Sequence, residues 1–218
     1  MPTAPSIMLA VGALLAFLAN EPLLVALGHR GHRRLVVDGH RARVRLAVLS
    51  SLAIALGSIG IALAPRALVA AAIVGVPVVT LLGFAWRRAE HTLAGELVAA
   101  IALTGAVVPV LVASGASIAR ASHVWIGWAL GFSASVVAVH RVLARHKRPA
   151  CAVDIAIAVA MIGALVAAPW AWSTLGIALP LVALSTAIVI ATPSARRLRT
   201  IGVAIVIAAL ASMVLAVV

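Results

Sequence analysis

Fifteen of the 17 lysines and arginines in this chain fall in alternate gaps between long apolar runs, at residues 30–45, 87–88, 141–148 and 196–199. The intervening gaps hold only Arg66 and Arg120. Lys and Arg are retained on the cytoplasmic side of short membrane loops, so cationic gaps that alternate with poor ones mark a many-spanning membrane protein and orient it. Composition excludes a soluble particle. With 65% hydrophobic and 10% charged residues and a mean hydropathy of +1.22, the 218-residue chain lacks the polar surface to face water.

About 20 apolar residues cross the hydrocarbon core. On that ruler the sequence predicts an all-α, polytopic transmembrane helix bundle of about eight spans in one membrane domain. The spans run over residues 7–28, 46–64, 67–85, 93–113, 123–140, 154–169, 172–192 and 201–218. The basic gaps then face the cytoplasm and both termini lie outside. Trp86 marks the inner interface, and Trp125, Trp128, Trp170 and Trp172 the outer one. The N-terminal MPTAPS has no basic flank and no evident cleavage site, and reads as the start of a retained span.

The formal charge of +12 does not point to nucleic acid, because the cations are split among short gaps and form no continuous stripe. They read as topology determinants and as contacts for anionic lipid headgroups. Cys151 is the single cysteine, so no intrachain disulfide forms. Inside the spans, Gly127, Gly131 and Ser135 recur at four-residue spacing and predict a close helix contact. Pro77, Pro109 and Pro180 each remove a backbone donor and predict kinks. The two four-span halves share a loose pattern: a basic gap with Asp38 or Asp154, a turn with Pro65 or Pro169, then an Arg pair.

Ionisable groups within a span are costly and are the default functional candidates. Two carboxylates qualify. Glu21, between Asn20 and Pro22, and Glu96, at the start of the fourth span, both fall toward the basic side. At the same predicted depth, VHRVLARHKR carries His140, Arg141, Arg145 and Arg148. The candidate polar cluster is therefore Asn20, Glu21, Glu96, His140, Arg141 and Arg145. One reading is structural, with a carboxylate paired to one of these arginines to pin two helices. The other is a cytoplasm-facing pocket in which arginines hold a phosphate or carboxylate while His140 or a glutamate handles a proton.

His29, His32 and His40 accompany Asp38 in GHRGHRRLVVDGH, but the six arginines of the 30–45 gap repel a cation, and no metal site is predicted. No glycine-rich phosphate loop, Ser/His/Asp set or paired-Asp motif is present. No cofactor is implied.

Three blocks carry a resemblance: FLANEPLLVALGHRGHR (17–33), RRAEHTLAGELVAAIALTGA (87–106) and VHRVLARHKR (139–148). Through them the chain resembles the YwiC-like bacterial membrane proteins. That resemblance implies an integral inner-membrane protein of a family with no established molecular function. It also implies a Pro-Arg-Glu-His-Gly segment and a first helix, neither of which precedes Ile7. Either the chain is a shortened version or its start is assigned too far downstream; restoring the helix gives nine spans and leaves the remaining orientation unchanged. In outline such a bundle is similar to the UbiA-type prenyltransferases. Those carry two Asp-rich motifs for magnesium and a prenyl diphosphate, whereas Asp38 and Asp154 stand alone here. Three functions stay open: a site for a lipid-linked or amphipathic anion, a small-solute transporter, and a non-catalytic scaffold or assembly factor.

Overall fold

A computed structural model describes residues 2–89, 91–144, 172–191, 193–194 and 197–217. Its described residues form nine helices and no strand: α1 (Ala4–Leu18), α2 (Asn20–Ala26), α3 (His32–Leu63), α4 (Arg66–Trp86), α5 (Leu93–Gly105), α6 (Val107–Ala113), α7 (Ile118–Ala144), α8 (Trp172–Ala191) and α9 (Leu198–Val217). In hydrocarbon every backbone polar group needs an internal partner, and a helix supplies one for each. Six stretches are long and apolar enough to cross a membrane, counting α1 with α2 and α5 with α6 as one each. Residues 176–191 of α8 form a shorter apolar stretch. The all-α, multi-spanning expectation is met; the span expected at 154–169 lies outside the described residues.

The chain folds as two compact units, Met1–His91 with Gly105–Ala121 and Thr92–Thr104 with Ser122–Val218. In the first, α1 packs along α3 and α6, α2 packs on α3, and α4 packs on α6. Glycines permit the closest approach. A Cβ on Gly60 of α3 would lie 2.8 Å from Leu9 Cγ, and one on Gly12 of α1 would lie 3.2 Å from the Ala53 carbonyl oxygen. The buried residues of α4 are Ala67, Ala70, Val74 and Ala85, and those of α6 are Val108, Val112 and Ala113. Thr3 caps α1 by accepting from the Ser6 amide while its hydroxyl donates to the Ala113 carbonyl at 3.0 Å.

In the second unit the small-residue face expected on α7 meets α8. A Cβ on Gly131 would come within 2.9 Å of Leu181 Cδ1, and one turn on, the Ser135 and Ser185 hydroxyls are 3.2 Å apart. Ser135 also donates to the Gly131 carbonyl, which keeps this buried polar pair satisfied. Ala138, Val142, Ile188 and Ile201 then join α7, α8 and α9 in one apolar cluster.

Three findings depart from the sequence expectations. The basic gap at 30–45 is not a loop, because α3 begins at His32 and runs unbroken to Leu63. At 1.5 Å per residue its 32 residues extend about 48 Å, well beyond a hydrocarbon core of about 30 Å. The span expected at 7–28 is interrupted at Ala19, three residues before Pro22, and the span at 93–113 at Ala106, three residues before Pro109. In each case the proline ring opposes the carbonyl four residues back, at Leu18 and Gly105, the last residues of α1 and α5. By contrast, α4 continues through Pro77 and α8 through Pro180.

Three helix ends share one closure, in which two amides past the helix reach back to its last free carbonyls. At α2 these are Gly28 to Val25 and His29 to Leu24; at α4, Arg88 to Ala85 and Ala89 to Phe84; at α6, Gly115 to Val112 and Ala116 to Leu111. The turn needs a left-handed residue, which is Gly28 (φ 77°), Arg88 (φ 55°) or Gly115 (φ 98°). Only Arg88 has a Cβ there, at a cost of about 1–2 kcal/mol. Arg88→Gly should therefore raise stability slightly, by about 0.5 kcal/mol after the added chain entropy of glycine. Gly115→Ala should lower it by about 1 kcal/mol although nothing lies within 4 Å of the new Cβ. Thermal unfolding of both variants in one detergent checks the opposite signs.

Candidate functional site

Each unit holds one set of the polar candidates. The first lies in unit one, where α2 turns into α3. Asn20 and Glu21 open α2, both exposed. Past Ala26 the closure at Gly28 reverses the chain, and Gly31 (φ 92°) starts α3, so residue 30 is carried on a tight turn. There the Arg30 guanidinium donates to Glu21 Oε2 at 2.5 Å, and Arg34, one turn into α3, approaches Glu21 Oε1 at 4.0 Å. Glu21 keeps 53% of its side chain exposed, so this is a shallow, open cluster.

The second set lies in unit two. Thr92 caps α5 by accepting from the Gly95 amide at 3.1 Å. That fixes the first turn, in which Glu96 sits, and places its carboxylate near the positive end of the helix dipole. Near the far end of α7, His140 Nδ1 lies 3.1 Å from Glu96 Oε2, with both side chains about one-third exposed. A proton on Nδ1 makes this a donation to the carboxylate. Arg141 follows on α7 and makes contacts of its own.

Among the described residues each of the two carboxylates has a partner, while Arg145 and Arg148 of the expected pairing fall outside them. Glu21 takes Arg30 and Arg34, and Glu96 takes His140. The physical reason for the first is local: a tight turn nine residues on returns a guanidinium at no cost in long loop closure. The signal was present in the spacing Gly28-x-x-Gly31, two positions that tolerate positive φ around a short reversal. His32, Asp38 and His40, expected in a loop, ride on the first turns of α3.

Two tryptophans expected at the membrane interface behave differently. Trp86 is 80% exposed at the end of α4, as an interfacial anchor is. Trp125 instead donates its indole N–H to the Ile101 carbonyl at 3.0 Å. Thr104 donates to the same carbonyl and to that of Ala100, so side-chain donors surround the end of α5 where Pro109 breaks the helix. On α7 the Trp128 ring stacks on Phe132, with centroids 5.6 Å apart.

Chemically, the Glu21 cluster sets one carboxylate against two guanidiniums, and the Glu96–His140 pair offers a place where a proton is held between two groups. The pair is a coupled unit. Glu96→Ala and His140→Ala should each destabilise unit two by about 1 kcal/mol, and the double variant should cost at least about 0.5 kcal/mol less than their sum. A double-mutant cycle followed by thermal unfolding checks this; strict additivity would dissolve the pair.

Searches of the curated proteins and of solved structures returned no match. The model of the family described as "YwiC-like protein" matches residues 1–112. That range contains the blocks at 17–33 and 87–106 that carry the resemblance, along with Glu21, Arg30, Arg34 and Glu96; the block at 139–148 lies beyond it. With just over half of the sequence matched, from α1 to the last turn of α6, this multi-pass membrane chain belongs to the YwiC-like family.

Proposed function

We propose that this protein resides in the bacterial inner membrane with its basic helix ends in the cytoplasm, and that the Glu21–Arg30–Arg34 cluster receives the anionic head of a lipid-linked or other amphipathic molecule. The orientation rests on the 15-to-2 division of cations among the gaps. The site rests on one observation: two guanidiniums meet a single exposed carboxylate where α2 turns into α3. Glu21 orients Arg30, the local charge remains positive, and Arg34 stands 4.0 Å off as the group that a phosphate or carboxylate would engage. Apolar surface on the neighbouring helices suits a hydrophobic tail.

Gentle purification in a mild detergent followed by native mass spectrometry tests the reading. The wild type should carry a specific phosphorylated or isoprenoid adduct; Arg34→Gln should lose at least about ten-fold of it, the loss of one charge-assisted contact, and Glu21→Gln should lose part of it because Arg30 is no longer oriented. Glu96→Gln should keep it. Bare protein, or general phospholipid shed equally by all samples, rejects the assignment.

A second reading, a small-solute transporter, is favoured by the helix breaks at Ala19 and Ala106, because transporters bind solutes at interrupted spans. Under it, proteoliposomes should accumulate a small organic or inorganic anion, and Pro22→Ala, which restores the missing amide, should reduce uptake. A flat trace across candidate anions counts against transport and leaves a scaffold as the remaining class.

A further inference from the structure

We infer that the outward face of α3 is a binding site for an anionic phospholipid. At 100° per residue, Arg41, Val44, Arg45, Val48, Leu52 and Ile59 fall within about 100° of arc, so they form one continuous stripe along a helix. All six are exposed. The opposite side of the same helix holds Ala53 and Gly60, which meet α1, and the buried Gly39 and Ala42. The packed and unpacked faces of α3 are therefore separate, and the stripe is the unpacked one.

Chemistry changes along the stripe in one direction. Arg41 and Arg45 stand one helical turn apart, close enough to bracket a single phosphodiester between two guanidinium forks. Among the described residues neither makes an ion pair or hydrogen bond, and the two like charges repel each other until an anion sits between them. Below them, Val48, Leu52 and Ile59 continue in steps of three to seven residues and present only branched hydrocarbon. From Arg45 to Ile59 the rise is about 21 Å, more than half the hydrocarbon thickness. An occupant that matches this gradient carries one negative charge without a compensating cation and a long acyl chain continuous with it. That describes phosphatidylglycerol and its anionic relatives, and it disfavours zwitterionic phosphatidylcholine. A soluble phosphate fills only the upper end of the stripe.

This site is separate from the Glu21 cluster and is tested apart from it. Full-length protein in mixed micelles containing equal phosphatidylglycerol and phosphatidylcholine should retain the former preferentially in native mass spectra. Each arginine near an anionic headgroup is worth about a five-fold preference, so Arg41→Gln with Arg45→Gln should lose ten-fold or more of it. Arg41→Lys with Arg45→Lys should keep most of the preference, as should Arg66→Gln. A photoreactive phosphatidylglycerol should label the peptide spanning 44–59 in the wild type, a readout that needs no variant to fold. Equal retention of the two lipids by the wild type, undiminished preference in the Gln pair, or labelling confined to other peptides overturns the inference.

Discussion

Backbone amides and carbonyls without a water partner are the constraint around which this molecule is arranged. A chain this apolar places most of its length where each unpaired group costs several kcal/mol. Helices meet that demand until a proline removes a donor, and two such points end in a break. At Pro22 and Pro109 the helix stops three residues early and restarts at once, and about one turn before the second break Thr104 and Trp125 donate to the Ala100 and Ile101 carbonyls. At the C-terminal ends of α2, α4 and α6 the same double hydrogen bond closes the helix. Such turns are short, and they set where polar side chains emerge.

That placement sets the partner that each charged candidate meets within its own unit. Arg30 reaches Glu21 because Gly28 and Gly31 fold the chain sharply between α2 and α3. Glu96 reaches His140 because Thr92 fixes the first turn of α5. Neither pair is deeply buried, so neither is a strong stabilising clamp; exposed ion pairs contribute at most about 1 kcal/mol. Their value is positional, since each holds a charged group at a defined spot near a helix terminus.

The architecture was largely readable from hydropathy and charge, which act along the chain and need no tertiary knowledge. Gly131 and Ser135 were readable for the same reason, because a four-residue repeat of small side chains has one use in lipid. The partners of Glu21 and Glu96 were not. Depth along a span restricts a partner to a slice of the bilayer, but the choice among Arg30, Arg34, Arg141 and His140 depends on turn geometry and on which helices are neighbours. The length of α3 was missed for a different reason: hydropathy ends at the last apolar residue, while helix formation continues through Arg45 to His32, because arginine, leucine and alanine all favour it. Likewise Pro77 and Pro109 look alike in sequence, yet only one ends a helix.

The uninterrupted course of α3 has a mechanical consequence. A helix transmits rotation and tilt along its axis without a joint, and here glycines at 12 and 60 press α1 against its lower half while α2 rests on the upper half. The arginine-bearing turns and the lipid-spanning turns therefore move as one stiff rod. If the arginines stay at the level of the charged headgroups, a thinner or thicker bilayer changes the angle of that rod, and α1 and α2 turn with it. Bilayer thickness becomes a variable that this fold converts into helix angle.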